Sequence, residues 1–164
     1  DVNRDRQGRF AEENTLTAEA AETLLKSDWK QTIKEAVARL PKAKNGRPYI
    51  YHSGEKLKID VPASFADETK KEILKKNDTK LKKIAALWAI QHIEKLFEIG
   101  EFSEPEPDIH KRPNIKQIIR VYSPFFLEID SKIIPFSAKF TVREFENGRK
   151  VLSDEILEIN GGRD

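Results

Sequence analysis

Apolar residues recur every three or four positions through much of the first two thirds of the chain, and every second position through the last third. The first spacing puts side chains on one side of a helix, the second on one side of a strand. Thr17 can cap a helix over Ala18–Lys26, and Ser27 a second in which Trp29, Ile33, Ala36, Val37 and Leu40 share a stripe. Lys30 stands where the acid of a capping box would be, and Pro41 stops the helix. Asn45-Gly46 and Ser53-Gly54 punctuate a small hairpin formed by Tyr49–Tyr51 and Lys56–Val61, where Leu57 and Ile59 alternate with lysines. A short helix is predicted over Ala66–Lys76 and a long one from about Thr79 to Ile99. The stripe Ile84, Leu87, Trp88, Ile93, Leu96 and Phe97 suits packing on a sheet, and Gly100 ends it. Phe102–Pro113 is charged and Pro-rich and reads as a flexible loop. Ile115–Ser123, Phe125–Asp130, Lys132–Phe145 and Lys150–Ile159 read as strands, with reversals at Asp130-Ser131 and Asn147-Gly148. Pro135 implies a late start or an edge position for its strand. The fold class expected is α+β, N-terminal helices followed by a mainly antiparallel meander.

Two of these strands carry chemistry on one face. Ile119 and Val121 alternate with Ile118, Arg120 and Tyr122. Phe136, Ala138, Phe140 and Val142 alternate with Lys139, Thr141 and Arg143. If the strands share a sheet, its non-core face presents three cations, a hydroxyl and a phenol together. Two readings stand. One is a solvated sheet face. The other is a site that grips or cleaves a phosphodiester, with Arg120, Lys139 and Arg143 on phosphate, Thr141 positioning an oxygen, and Tyr122 stacking on a base or donating a proton.

Composition narrows the classes. With 164 residues, a charged fraction of 35% and a hydrophobic fraction of 38%, the chain suits one domain with a moderate core. A net charge of +2 provides no global pull on nucleic acid, so any attraction must come from local clustering. The absence of cysteine excludes disulfides and thiolate metal sites. No run approaches a transmembrane helix and none reads as a secretory signal, so no membrane partner is expected. The chain contains no methionine, and Asp1–Asn14 is polar and charged. We therefore expect a piece of a longer polypeptide: a disordered linker from an upstream carrier domain over residues 1–16, one domain over 17–159, and a frayed tail over 160–164.

Three histidines are the candidate proton carriers, because an imidazole titrates near neutrality. His110 lies beside Lys111 and Arg112 just before the first cationic strand, and His52 at a hairpin tip. Each is a candidate acid or base, and each reads more readily as an ordinary surface residue. His92 sits on the long helix and reads as packed. Lys111 and Arg112 are candidate substrate ligands. Lys70, Lys71, Lys75, Lys76, Lys80, Lys82 and Lys83 form a basic run without interleaved aromatics, read mainly as a solvated helix face and secondarily as an RNA footprint. Trp29 and Trp88 read as core. The scattered histidines, with no HExxH spacing, no glycine-rich phosphate loop and no GxSxG elbow, predict neither metal nor cofactor.

From about Leu87 onward the chain resembles the C-terminal domain of phage MuF-type head proteins, which also occurs as a large polyvalent-protein-associated domain in mobile elements. The resemblance is carried by AIQHIEKLFE (Ala89–Glu98), by IKQIIRVYSPFFLEIDSKIIPFSAKFTVREF (Ile115–Phe145) and by KVLSDEILEI (Lys150–Ile159). NRDRQGRFAEEN resembles the linkers that precede such domains. It implies a barnase–EndoU–RelE-like fold and a ribonuclease toxin, acting on RNA in a bacterial cytoplasm, with a cognate immunity protein. Contact-dependent inhibition toxins include domains of this type. Only Arg120, Tyr122, Lys139 and Thr141 map onto the family's strand motifs. Where the family carries a histidine before the IxxLF segment, this chain has Leu87 and Trp88, and its histidine comes later, at His92. A non-catalytic protein- or nucleic-acid-binding module of a phage structural or polyvalent protein is the alternative.

Overall fold

Three of the described helices start where a side-chain oxygen meets a backbone N–H that the opening turn leaves without a partner. The computed structural model describes residues 15–75, 79–153 and 158–161, so the linker motif of residues 1–14 lies outside the described residues. Its helices are α1 (Ala18–Lys26), α2 (Trp29–Ala38), α3 (Phe65–Lys75), α4 (Lys80–Gln91) and α5 (Ile93–Ile99). Thr17 accepts from Ala20 N, Asp28 from Gln31 N and Thr79 from Lys82 N. The cap of α2 is thus Asp28. Ser27, expected in that role, instead closes α1 and donates through Oγ to Leu24 O.

The single helix expected over Thr79–Ile99 is interrupted at His92 (φ −119°, ψ 28°). Its imidazole stacks on Trp88 at 4.1 Å, and Nδ1–H donates to the Trp88 carbonyl at 2.9 Å. A side chain that bonds the carbonyl of the preceding turn competes with the helical ladder there.

Among the described residues eight strands form one mixed sheet: β1 (Thr15–Leu16), β2 (Tyr49–His52), β3 (Leu57–Asp60), β4 (Glu101–Phe102), β5 (Ile115–Ile129), β6 (Lys132–Phe145), β7 (Lys150–Leu152) and β8 (Glu158–Gly161). The spatial order is β1-β5-β6-β7-β3-β2, with β4 also on β5 and β8 also on β6. The meander is therefore only part of the sheet: the early hairpin joins it through a parallel β3–β7 pair, and β1 pairs parallel with the end of β5. Thr15 and Leu16 thus belong to the sheet and not to the linker, and Asn160 and Gly161 pair with Ser137 and Phe136.

The long β5–β6 hairpin is the spine. Asp130 and Ser131 both take positive φ (50° and 67°), the backbone of a two-residue turn whose twist matches its strands. The two strands expected around Pro124 are one. Pro124 lies on a stretch of the outer edge of β5 between the partners at Val121–Tyr122 and Glu128–Ile129, where a missing N–H is tolerated. Pro135 similarly lies just beyond the β6 residues that pair with β8.

The core fills one face of this hairpin. Phe125 stacks between Trp88 and Phe136, and Phe97 meets Phe140 edge-on. Leu87, Ile90, Leu96 and Phe97 of the helices are fully buried against the sheet, as are Val121, Leu127, Ala138 and Val142. Each large side chain so buried contributes about 1.5–3 kcal/mol. Gly100 permits the close approach of α5. Its carbonyl accepts from His52 Nε2, and Ser123 Oγ donates to Leu96 O at 2.6 Å.

Candidate functional site

Strand register decides what the opposite face can do. Ile118 pairs with Arg143, Arg120 with Thr141, and Tyr122 with Lys139. On the far side of β6, Arg143 pairs with Val151, and Ser153 N donates to Thr141 O at 2.9 Å, extending that register by one row. Arg120, Thr141 and Ser153 therefore stand in one row across neighbouring strands. With strands about 4.8 Å apart, the row spans roughly 10 Å. Lys139 and Arg143 flank Thr141 along β6.

The segment expected as a flexible loop is tied to the sheet edge and walls this row in. Ser103 N donates to Arg120 O, and Glu106 and Ile118 exchange both backbone hydrogen bonds at 2.9 and 2.7 Å. That bridge sets Glu106 beside Arg120, and the two form an ion pair. Beyond it the chain turns around a buried carboxylate. Asp108 accepts from the backbone N–H groups of His110 and Arg112 and takes the Arg112 guanidinium bidentately, at 3.0 and 3.1 Å. The Arg112 guanidinium, aided by those N–H donors, holds the Asp108 carboxyl well below the usual carboxylate range.

Together the sheet face and this wall enclose a cavity of about 200 Å³. Ile118 and Thr141, both buried, line it with Arg120, Lys139 and Arg143. Glu106, Asp108, His110 and Arg112 line it from the loop, and Ser153 from beyond β7. It is smaller than the roughly 300–1,000 Å³ of pockets that enclose a whole small molecule, so it suits one group of a larger ligand. The lining is dominated by hydrogen-bond donors. Arg and Lys are donor-only, and the hydroxyls can donate, so the cavity favours an anion rich in acceptor oxygens.

The candidates from the sequence divide. Arg120, Lys139, Thr141, Arg143, His110 and Arg112 all line the cavity, with Arg112 committed to Asp108. Tyr122 lies outside it, exposed, directly opposite Lys139. Lys111 is exposed at positive φ (48°) and is not part of the lining. His52 is not brought to the cavity. It is buried between Phe97 and Phe102, Glu55 N–H donates to Nδ1, and Nε2–H donates to Gly100 O, so both ring nitrogens are occupied in holding the hairpin to the α5 end.

Glu106, Asp108 and Ser153 were not legible as site residues. The first two sit in an aperiodic Pro-rich stretch, where the only available signal was a charge complement to Arg120 and Arg112. Ser153 alternates with the core residue Leu152, which places it opposite the core but names no neighbours. Among the described residues no group of three or more His, Cys, Asp or Glu is placed to hold a metal ion, and no helix is long and apolar enough to cross a membrane.

Comparison with curated proteins and with solved structures finds no significant match. Comparison with protein families matches residues 26–152 to large polyvalent protein-associated domain 3. That range contains every cavity residue named above except Ser153, which immediately follows it. Because the match covers most of the chain, the chain belongs to the large polyvalent protein-associated domain 3 family.

Proposed function

We propose that this module is a metal-independent endoribonuclease of the barnase–EndoU–RelE kind. In this reading it is the C-terminal part of a larger phage or mobile-element effector and acts on RNA in a bacterial cytoplasm. The observation that carries the reading is the row Arg120–Thr141–Ser153, flanked by Lys139 and Arg143, facing a wall that bears two carboxylates, Glu106 and the Arg112-held Asp108, and one imidazole. RNA cleavage by internal transfer needs that set. A base takes the proton of the 2′-hydroxyl, the 2′-oxygen attacks phosphorus, and cations stabilise the charge gathered on the phosphorane. An acid then protonates the departing 5′-oxygen, leaving a 2′,3′-cyclic phosphate.

We assign the base to Glu106, which Arg120 orients, and the acid to His110. Arg120, Lys139 and Arg143 supply the charge stabilisation that a metal ion would otherwise provide. Tyr122, exposed next to Lys139, offers a stacking surface for the adjoining base. A cognate immunity protein would present acidic residues to this face.

The test is incubation of the chain with total RNA in excess EDTA. Discrete fragments ending in cyclic phosphate, lost in the Arg120→Ala/Lys139→Ala double variant, are expected. Intact RNA from folded protein would overturn the reading. A second reading, a non-catalytic binding module, is favoured by the ion pairs Arg120–Glu106 and Arg112–Asp108, which neutralise part of the cavity internally. Salt-sensitive RNA retention without products would select it.

A further inference from the structure

Buried polar side-chain atoms are almost always hydrogen-bonded, so those without a partner point to something missing. Among the described residues three such atoms lack one: Thr69 Oγ1, Arg143 Nε and Ser153 Oγ. Thr69 lies on α3 and is not among the residues that line the cavity. Arg143 and Ser153 both line the cavity, and Ser153 is only 3% exposed.

Their placement is not random. Ser153 stands opposite Thr141, and Arg143 opposite Val151, so the two are diagonal neighbours on paired strands. Diagonal neighbours lie about 7–8 Å apart at the backbone, within reach of one long and one short side chain converging on a common group. An arginine Nε–H can only donate, and a serine hydroxyl can donate alongside it. The group that satisfies both is an acceptor with several oxygens, and Lys139 and Arg120 nearby favour negative charge on it.

We propose that Arg143 and Ser153 form a seat for a single phosphate group of a polynucleotide chain. Arg143 Nε–H and Ser153 Oγ–H donate to its non-bridging oxygens at the floor of the cavity. The seat deepens the nuclease reading by adding Ser153, a residue just beyond the family match, as a phosphate ligand that does no proton transfer.

The test is titration calorimetry of the chain with inorganic phosphate and, separately, with a short single-stranded DNA, which lacks the 2′-hydroxyl and so binds without being cut. The expected result is binding of both, the oligonucleotide tighter and displaced by phosphate. Ser153→Ala should weaken phosphate binding by roughly tenfold or more, the scale of a hydrogen bond to a charged group. Arg143→Lys, which keeps the charge and loses the Nε donor, should weaken it similarly. Ser153→Ala should also leave the melting temperature of the free protein unchanged or raised, because it removes a buried hydroxyl that has no partner there; a merely structural serine would lower it.

Failure of the unmodified chain to bind phosphate would overturn the seat, as would equal affinity in chain and variants. Tight phosphate and no DNA binding would also overturn it, by assigning the cavity to the free ion. If the seat holds and RNA is not cut, the seat stands and the ribonuclease reading falls. If RNA is cut and phosphate affinity ignores both variants, the reverse holds.

Discussion

The two faces of the β5–β6 hairpin are built from alternate residues of the same two strands, and they solve opposite problems. One face is dry: Val121, Phe125, Leu127, Ala138, Phe140 and Val142 meet the aromatic and aliphatic side chains of α4 and α5. The other, at the level of Arg120, Thr141 and Ser153, is polar and only partly covered, and two of its buried atoms have no partner among the described residues. The dry face stabilises the fold by removing apolar area from water. The polar face holds its donors in place because the strands beneath cannot move without breaking the core. Rigid backing of a cavity by a packed sheet is what a preorganised charge-binding site requires, since donors already in position need no reorganisation when charge arrives.

Substitutions should therefore separate cleanly by face. The largest stability loss is expected at the core: Phe140→Ala should cost about 3–5 kcal/mol in denaturant unfolding, through the lost burial and the cavity left between Phe97 and the sheet. Across the strand, Arg120→Ala should do the reverse. It should change unfolding by less than about 1 kcal/mol, since its partner Glu106 is exposed and solvates readily, yet, under the proposed ribonuclease reading, lower RNA cleavage by about 10²-fold or more. A large stability change with Arg120→Ala would show that the polar face is structural.

A smaller effect is expected where α5 meets β5. A Cβ on residue 100 would overlap Val121 Cγ1 and lie 2.7 Å from Ser123 Oγ, with backbone on the other side. Gly100→Ala should cost roughly 1–3 kcal/mol by overpacking and should weaken the hold of His52 on the Gly100 carbonyl.

The smallest effect concerns the wall. The folded-state value of Asp108 lies below its ordinary value of 3.8, so its stabilisation of the turn is fully present above that pH. It is lost only as acid carries the pH down through the folded value. Amide-exchange protection of His110 and Arg112 should thus persist at pH 4 and fall in stronger acid, whereas Asp108→Asn should remove that pH dependence. Protection lost already near pH 5 would mean the carboxylate is not what holds the wall.

Local pattern along the chain specified most of the elements and which side of each faces the core. Period-2 alternation in Ile115–Phe145 assigns Arg120, Tyr122, Lys139, Thr141 and Arg143 to the face opposite the aromatics, because a pleated strand leaves no other option. The cap at Thr17 and the Asp130-Ser131 turn were legible for the same reason: they depend on residues within a few positions of one another. What depended on distant partners was not. The break at His92 follows from a ring stacking one turn back on Trp88, which periodicity does not register. His52 is a core residue because α5 and β4 bring Phe97, Phe102 and Gly100 around it.

The cavity itself exists because three separate segments meet: the β5–β6 register, the bridge of Glu106 to Ile118, and the arrival of β7 beside β6. Register across strands and the path of an aperiodic loop are fixed by long-range backbone hydrogen bonds and shared burial. Only the tertiary structure could therefore decide that Glu106, His110 and Ser153 look onto the same space as Arg120 and Arg143.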